Sequence, residues 1–171
     1  MKLLLVIAPE QFRDEELDIP KKAFEEAGID VDIASTAAGT CTGMLGAVAE
    51  AGMTFDEVDP DDYAGIVVVG GAGSQDYLWG SKKLQALVRA FFEEGKVVAA
   101  ICLAPVVLAR AGILSGRQAT VYPSPTAIKE LEKAGAHLQK IPVVADLQVV
   151  TANGPRAAAQ FADTIITKLE C

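Results

Sequence analysis

Apolar and polar positions alternate along the chain in two rhythms. Leu3-Leu4-Leu5-Val6-Ile7 is continuously apolar and predicts a buried strand. Residues 13–27 follow with Leu17 and Phe24 seven apart on one face and Ala27 close by, which predicts a helix closed by Gly28. Pro20 removes one backbone donor inside it and predicts a kink. Ile29-Asp30-Val31-Asp32-Ile33 alternates with period two, the mark of a strand. Residues 36–55 are rich in Gly, Ala and Thr and weakly patterned, so at most short strands are expected there. Residues 56–62 form an acidic turn, and Ile66-Val67-Val68-Val69 is an apolar strand ending in Gly70-Gly71.

Ser81 is expected to cap a helix to about residue 94, with Leu84, Leu87 and Val88 on its buried side. Val97-Val98-Ala99-Ala100-Ile101 is a further buried strand, running straight into Cys102 and an apolar helix over residues 103–111. A strand over 118–121, a helix over 126–134 ended by Gly135 and a strand over 147–151 come next. A closing helix over 157–169 carries Phe161, Ile165 and Leu169 at four-residue spacing. Continuous apolar strands with helices between them require a parallel sheet covered on both faces. The expected fold is a flavodoxin-like three-layer α/β/α sandwich, one domain over residues 1–171, with its site at the carboxyl ends of the strands.

Composition narrows the function. The 171 residues are 51% hydrophobic, enough to build a core, and the net charge of −8 argues against nucleic acid or an anionic membrane surface as partner. A single histidine, His137, excludes a His-rich metal centre built from one chain, and no metal or other cofactor is implied. Its place after a helix end predicts a solvated or capping imidazole. Cys41, Cys102 and Cys171 have no metal-type or disulfide-framework spacing, so a reducing, cytoplasmic setting is expected. Cys41 reads as a packing residue and Cys171 as an exposed one without a fixed role.

The candidate chemistry lies in Ala99-Ala100-Ile101-Cys102-Leu103-Ala104-Pro105. A strand that turns abruptly into a helix places Cys102 on a tight elbow beside a helix amino end, where free N–H groups favour a thiolate or an oxyanion. The competing reading is a buried cysteine that packs as a small hydrophobe. Gly70-Gly71-Ala72-Gly73-Ser74 lacks Walker spacing and its lysine, so these glycines are read as allowing close backbone approach to the cysteine. Tyr77, Leu78 and Trp79 form an aromatic patch expected to line the pocket or a subunit contact.

This elbow resembles that of the ThiJ/PfpI superfamily, which includes intracellular peptidases and a parkinsonism-associated redox protein. The shared features are Ala100-Ile101-Cys102 with Pro105, Glu16 four residues before Pro20, Val69-Gly70-Gly71, Tyr122-Pro123 and Asn153-Gly154-Pro155, which together span most of the chain. The resemblance implies Cys102 and Glu16 as catalytic residues, backbone donors from Gly71 and Leu103, and a pocket with Gly70, Tyr122 and Pro123. It also implies a homo-oligomer, dimeric or larger, and a small-molecule or peptide substrate. A buried, protonated Glu16 donating to sulfur predicts a raised pKa for Glu16 and a lowered one for Cys102. Asp14 and Glu15 take the ordinary role of acids in a first helical turn.

Two departures qualify the resemblance. Leu103 stands where the peptidase branch has histidine, and Tyr122 stands where the redox branch has its nearby histidine. A tyrosine hydroxyl with an ordinary pKa near ~10 is a poor base at neutrality. The expected function is therefore oxidative or carbonyl stress protection through Cys102, by thiol oxidation or by glyoxalase- or deglycase-like chemistry. The alternatives are a PfpI-type cysteine hydrolase and a non-catalytic chaperone or scaffold.

Overall fold

The computed structural model describes residues 1–170. Cys171, read from sequence as exposed, lies outside the described residues. A central sheet of seven strands has the order Val143–Asp146 (β11), Val149–Ala152 (β12), Val97–Ile101 (β8), Gly65–Val68 (β7), Lys2–Val6 (β1), Asp30–Ser35 (β3), Met53–Thr54 (β6). Every neighbouring pair is parallel except β11 with β12.

The continuous apolar character of β1, β7 and β8 follows from burial on both faces. Leu4, Val6, Ile66, Val68, Val98 and Ala100 pack toward Lys82–Glu93 (α2), Pro105–Arg110 (α3) and Pro125–Lys133 (α4). Leu3, Leu5, Ile7, Val67, Ala99 and Ile101 pack on the other side, toward Asp14–Glu26 (α1) and Ala158–Leu169 (α5). Leu17 and Phe24 of α1 and Phe161 and Ile165 of α5 meet in that second core. Each such fully buried side chain contributes roughly 1.5–3 kcal/mol. The Ser81 Oγ accepts from Leu84 N at 3.1 Å and caps α2 as expected. α1 runs unbroken through Pro20, a buried residue. Among the described residues no helix is long and apolar enough to cross a membrane.

The sequence reading needs correction in two places, and its weakly patterned region holds the short strands expected there. Residues 36–55 build a hairpin, Gly39–Gly43 (β4) and Val48–Ala51 (β5), which joins Glu10–Phe12 (β2) in a separate three-stranded sheet. The strand expected over 118–121 is only Gln118–Ala119 (β9), and it pairs with His137–Leu138 (β10) outside the main sheet. It stops there because the Thr120 N–H is donated to the Thr151 hydroxyl at 3.0 Å. The strand near 147–151 is the second arm of a hairpin whose turn holds Leu147 at φ 52°.

Candidate active site around Cys102

β1, β7, β8 and β12 all end toward one edge of the sheet, and Cys102 follows β8 there directly. Its φ of 65° lies in the left-handed region, a strain of order 1–3 kcal/mol for a residue with a Cβ. Hydrogen bonds hold the strained peptide on two sides. Cys102 N donates to Ala152 O at 2.9 Å, and Cys102 O accepts from Tyr122 N at 2.8 Å. The next carbonyl, Leu103 O, accepts from the Trp79 indole Nε1 at 2.8 Å.

Gly70 passes beneath the elbow. A Cβ there would lie 2.5 Å from Ile101 O and 2.6 Å from both Cys102 Cβ and Glu16 Oε1, so no larger residue fits. Those distances also place the Glu16 carboxyl against the cysteine. Glu16, in the first turn of α1, is fully buried; its Oε1 accepts from Gly70 N at 3.0 Å. Its Oε2 is buried and has no aligned hydrogen-bond partner.

Burial decides the protonation of this pair. The helix N-terminus favours a carboxylate by up to ~2 kcal/mol, but desolvation of a fully buried acid is larger and pushes Glu16 up to about 8. Glu16 therefore holds its proton at neutrality, as the sequence reading expects. The Cys102 expectation is overturned. Burial, with the Glu16 charge adding to it, pushes the thiol up to about 12, although the N–H groups of Gly71 and Leu103 pull the other way. The thiol is raised because the elbow is nearly closed to water and, among the described residues, no cation is bonded to sulfur.

A cavity of about 270 Å³ opens onto Cys102, lined by Arg13, Met44, Gly71, Ala72, Leu103, Tyr122 and Pro155. Leu103 and Tyr122 line the cavity as the sequence places them, but Gly70 does not: it is packed beneath the elbow against Ile101, Cys102 and Glu16. Pro123 does not belong to this site. It lines a neighbouring hollow with Thr120 and Asn153, because the chain turns away after Tyr122. A larger hollow of about 430 Å³ around Lys82, Arg110 and Lys133 shares no residue with the cysteine cavity. Trp79 and Leu78 are buried in the core, so the expected aromatic surface patch reduces to Tyr77, whose hydroxyl donates to Glu10. His137 is exposed on β10 and does not line the cavity. Cys41 is buried, as a packing residue would be.

Arg13 and Met44 are site residues that the sequence did not reveal, while Ala72 and Pro155 lie in segments it marked without assigning them to the pocket. Met44 arrives on the β4–β5 hairpin, which Asp14 anchors by accepting from Leu45 N at 3.1 Å and Ala47 N at 2.9 Å. Asp14 and Glu15 look alike in sequence, but Asp14 organises this hairpin and Glu15 grips Arg13. Arg13 donates to Glu15 through Nε at 3.0 Å and Nη2 at 2.9 Å.

Comparison with known proteins adds the family. The sequence pattern of the DJ-1/PfpI family matches residues 1–168. The uncharacterised protein MJ0967 of Methanocaldococcus jannaschii is 53% identical over 99% of this chain and 82% of its own length. A protein of Pyrococcus horikoshii named deglycase PH1704 is 37% identical over 91% of each chain. The crystal structure of a ThiJ/PfpI domain protein from Brachyspira murdochii superposes with a TM-score of 0.95 at 32% identity, over 99% of this chain and 96% of that one.

Proposed function

The chain belongs to the DJ-1/PfpI family, and from that premise we propose that Cys102 is a nucleophile that adds to the carbonyl carbon of small aldehydes, with Glu16 as its proton partner. The observation that carries this reading is the buried carboxyl, raised to about 8, lying against the thiol. A group with a pKa near the working pH is suited to giving and taking a proton. When the pair has lost one proton, two arrangements share the other: carboxylate with thiol, or acid with thiolate. The second arrangement is a nucleophile with an acid beside it.

In the addition step an S–C bond forms and the carbonyl π bond opens. The thiol proton passes by way of Glu16 to the former carbonyl oxygen, giving a hemithioacetal. No electron and no net proton leaves the site. Gly71 and Leu103 N–H groups, directed at the sulfur, hold it during the approach.

The same features favour this chemistry over peptide cleavage. Peptide cleavage by a Cys–His pair needs an imidazole beside the thiol, and Leu103, which stands at that place, can neither take nor give a proton. The deglycase name of the P. horikoshii relative agrees with carbonyl chemistry.

The test is consumption of glyoxal and methylglyoxal by wild type and by Cys102→Ala. Turnover that disappears in the variant and rises with pH toward 8 is expected. Equal consumption by both proteins overturns the reading.

A further inference from the structure

We propose that Arg13 makes the Cys102 cavity selective for carbonyl compounds that carry a carboxylate, of the small 2-oxo-acid type. Among the described residues Arg13 is the single formally charged one lining the cavity; the rest of the wall is apolar apart from the Cys102 thiol, the Tyr122 hydroxyl and backbone groups. Its side chain is only partly exposed, at 29%, and is held flat by the two-bonded fork to Glu15. That fork uses two of the five guanidinium N–H donors, so three stay available to a ligand.

The backbone fixes its position as well. Arg13 N donates to Gly70 O at 3.0 Å, on the strand end that underlies the elbow. The Glu15 bond raises the Arg13 pKa, so the guanidinium stays charged, and Arg13 and Cys102 line the same cavity. An anion entering this space meets a pre-oriented planar donor, the geometry that favours carboxylates. The volume, about 270 Å³, suits a molecule of a few heavy atoms. The −8 chain repels anions in general, so selection for one must be local.

This inference rests on the reading of Cys102 as nucleophile, and the experiment separates the two. Iodoacetate and iodoacetamide have nearly the same size and react alike: an S–C bond forms, iodide leaves and the thiol proton passes to buffer. Only one is an anion. Their rates at Cys102 are measured by peptide mass spectrometry in wild type, Arg13→Gln, Arg13→Lys and Glu15→Gln. The iodoacetate-to-iodoacetamide ratio is expected to fall about tenfold in Arg13→Gln, the scale of one charge-assisted bond. It should recover in part in Arg13→Lys. Glu15→Gln removes the fork that pre-orients the guanidinium, so the ratio should fall there too, whereas loss of a nearby negative charge acting alone would raise it.

In parallel, glycolate is titrated calorimetrically into Cys102→Ala and into Cys102→Ala with Arg13→Gln. Saturable binding in the first that is lost in the second supports the proposal. Ratios that do not change across the Arg13 and Glu15 variants overturn it, and so does glycolate binding that survives loss of Arg13. If native Cys102 reacts with neither reagent, the nucleophile reading fails, and the glycolate titration still decides the role of Arg13.

Discussion

Replacing Glu16 with Gln keeps the size of the side chain and an oxygen to accept the Gly70 N–H, but removes the proton equilibrium. In the folded protein Glu16 is raised from 4.5 to about 8. Because the folded value lies above the unfolded one, the folded state binds more protons between them. The stability this provides is complete below pH 4.5 and is lost as pH rises through about 8. At 1.36 kcal/mol per pKa unit, the whole loss is about 5 kcal/mol, comparable to the net stability of many domains.

The assay is urea denaturation of wild type and Glu16→Gln at intervals from pH 5 to pH 8. Acids common to both proteins cancel in the difference. That difference should move by roughly 3–4 kcal/mol in favour of Gln across the interval. A difference that stays flat to within ~1 kcal/mol, with equal m-values, would show that Glu16 is not a buried proton-holding acid. The proton-partner role proposed for it would then fall too.

Three further outcomes are expected. Gly70→Ala forces its Cβ to within 2.5 Å of the Ile101 carbonyl, so denaturation should show a loss of about 3 kcal/mol or more; a loss under ~1 kcal/mol would mean the elbow is not packed against Gly70. Trp79→Phe leaves the Leu103 carbonyl without its donor and should cost about 1–2 kcal/mol, while Tyr77→Phe, at a more exposed site, should cost less by the same measurement; equal losses would contradict this. Leu103→His places an imidazolium beside the sulfur and should lower the pH at which Cys102 reacts with iodoacetamide; an unchanged alkylation profile would show that the new ring does not reach the thiol.

The central sheet was legible because strands buried on both faces carry unbroken apolar runs, as in Leu3 to Ile7 and Val97 to Ile101. The hairpin at residues 39–51 was not, because its faces are thinly covered and its Gly, Ala and Thr residues carry little periodic signal. β2 was missed for a different reason: it has three residues, and Gln11 at φ 58° breaks its register. At the site, Cys102 and Glu16 were marked by the strand-to-helix junction and by the family resemblance. Arg13 and Met44 carry no such mark, since they reach the cavity through the fold of the hairpin and the grip of Asp14 and Glu15. The pKa of Cys102 was misjudged for a related reason. An elbow predicts N–H donors near sulfur, but the depth of burial that outweighs them is a property of the assembled layers.

The chain has a single tryptophan, and its indole N–H is bonded to the carbonyl one residue past Cys102, with the Arg110 guanidinium 5.5 Å from its ring. Indole emission responds to both its hydrogen bond and nearby positive charge. The protein thus contains an optical reporter wired to the elbow backbone. Adduct formation at Cys102 that shifts the 103–104 peptide should be visible as an intrinsic fluorescence change in stopped flow, without a dye.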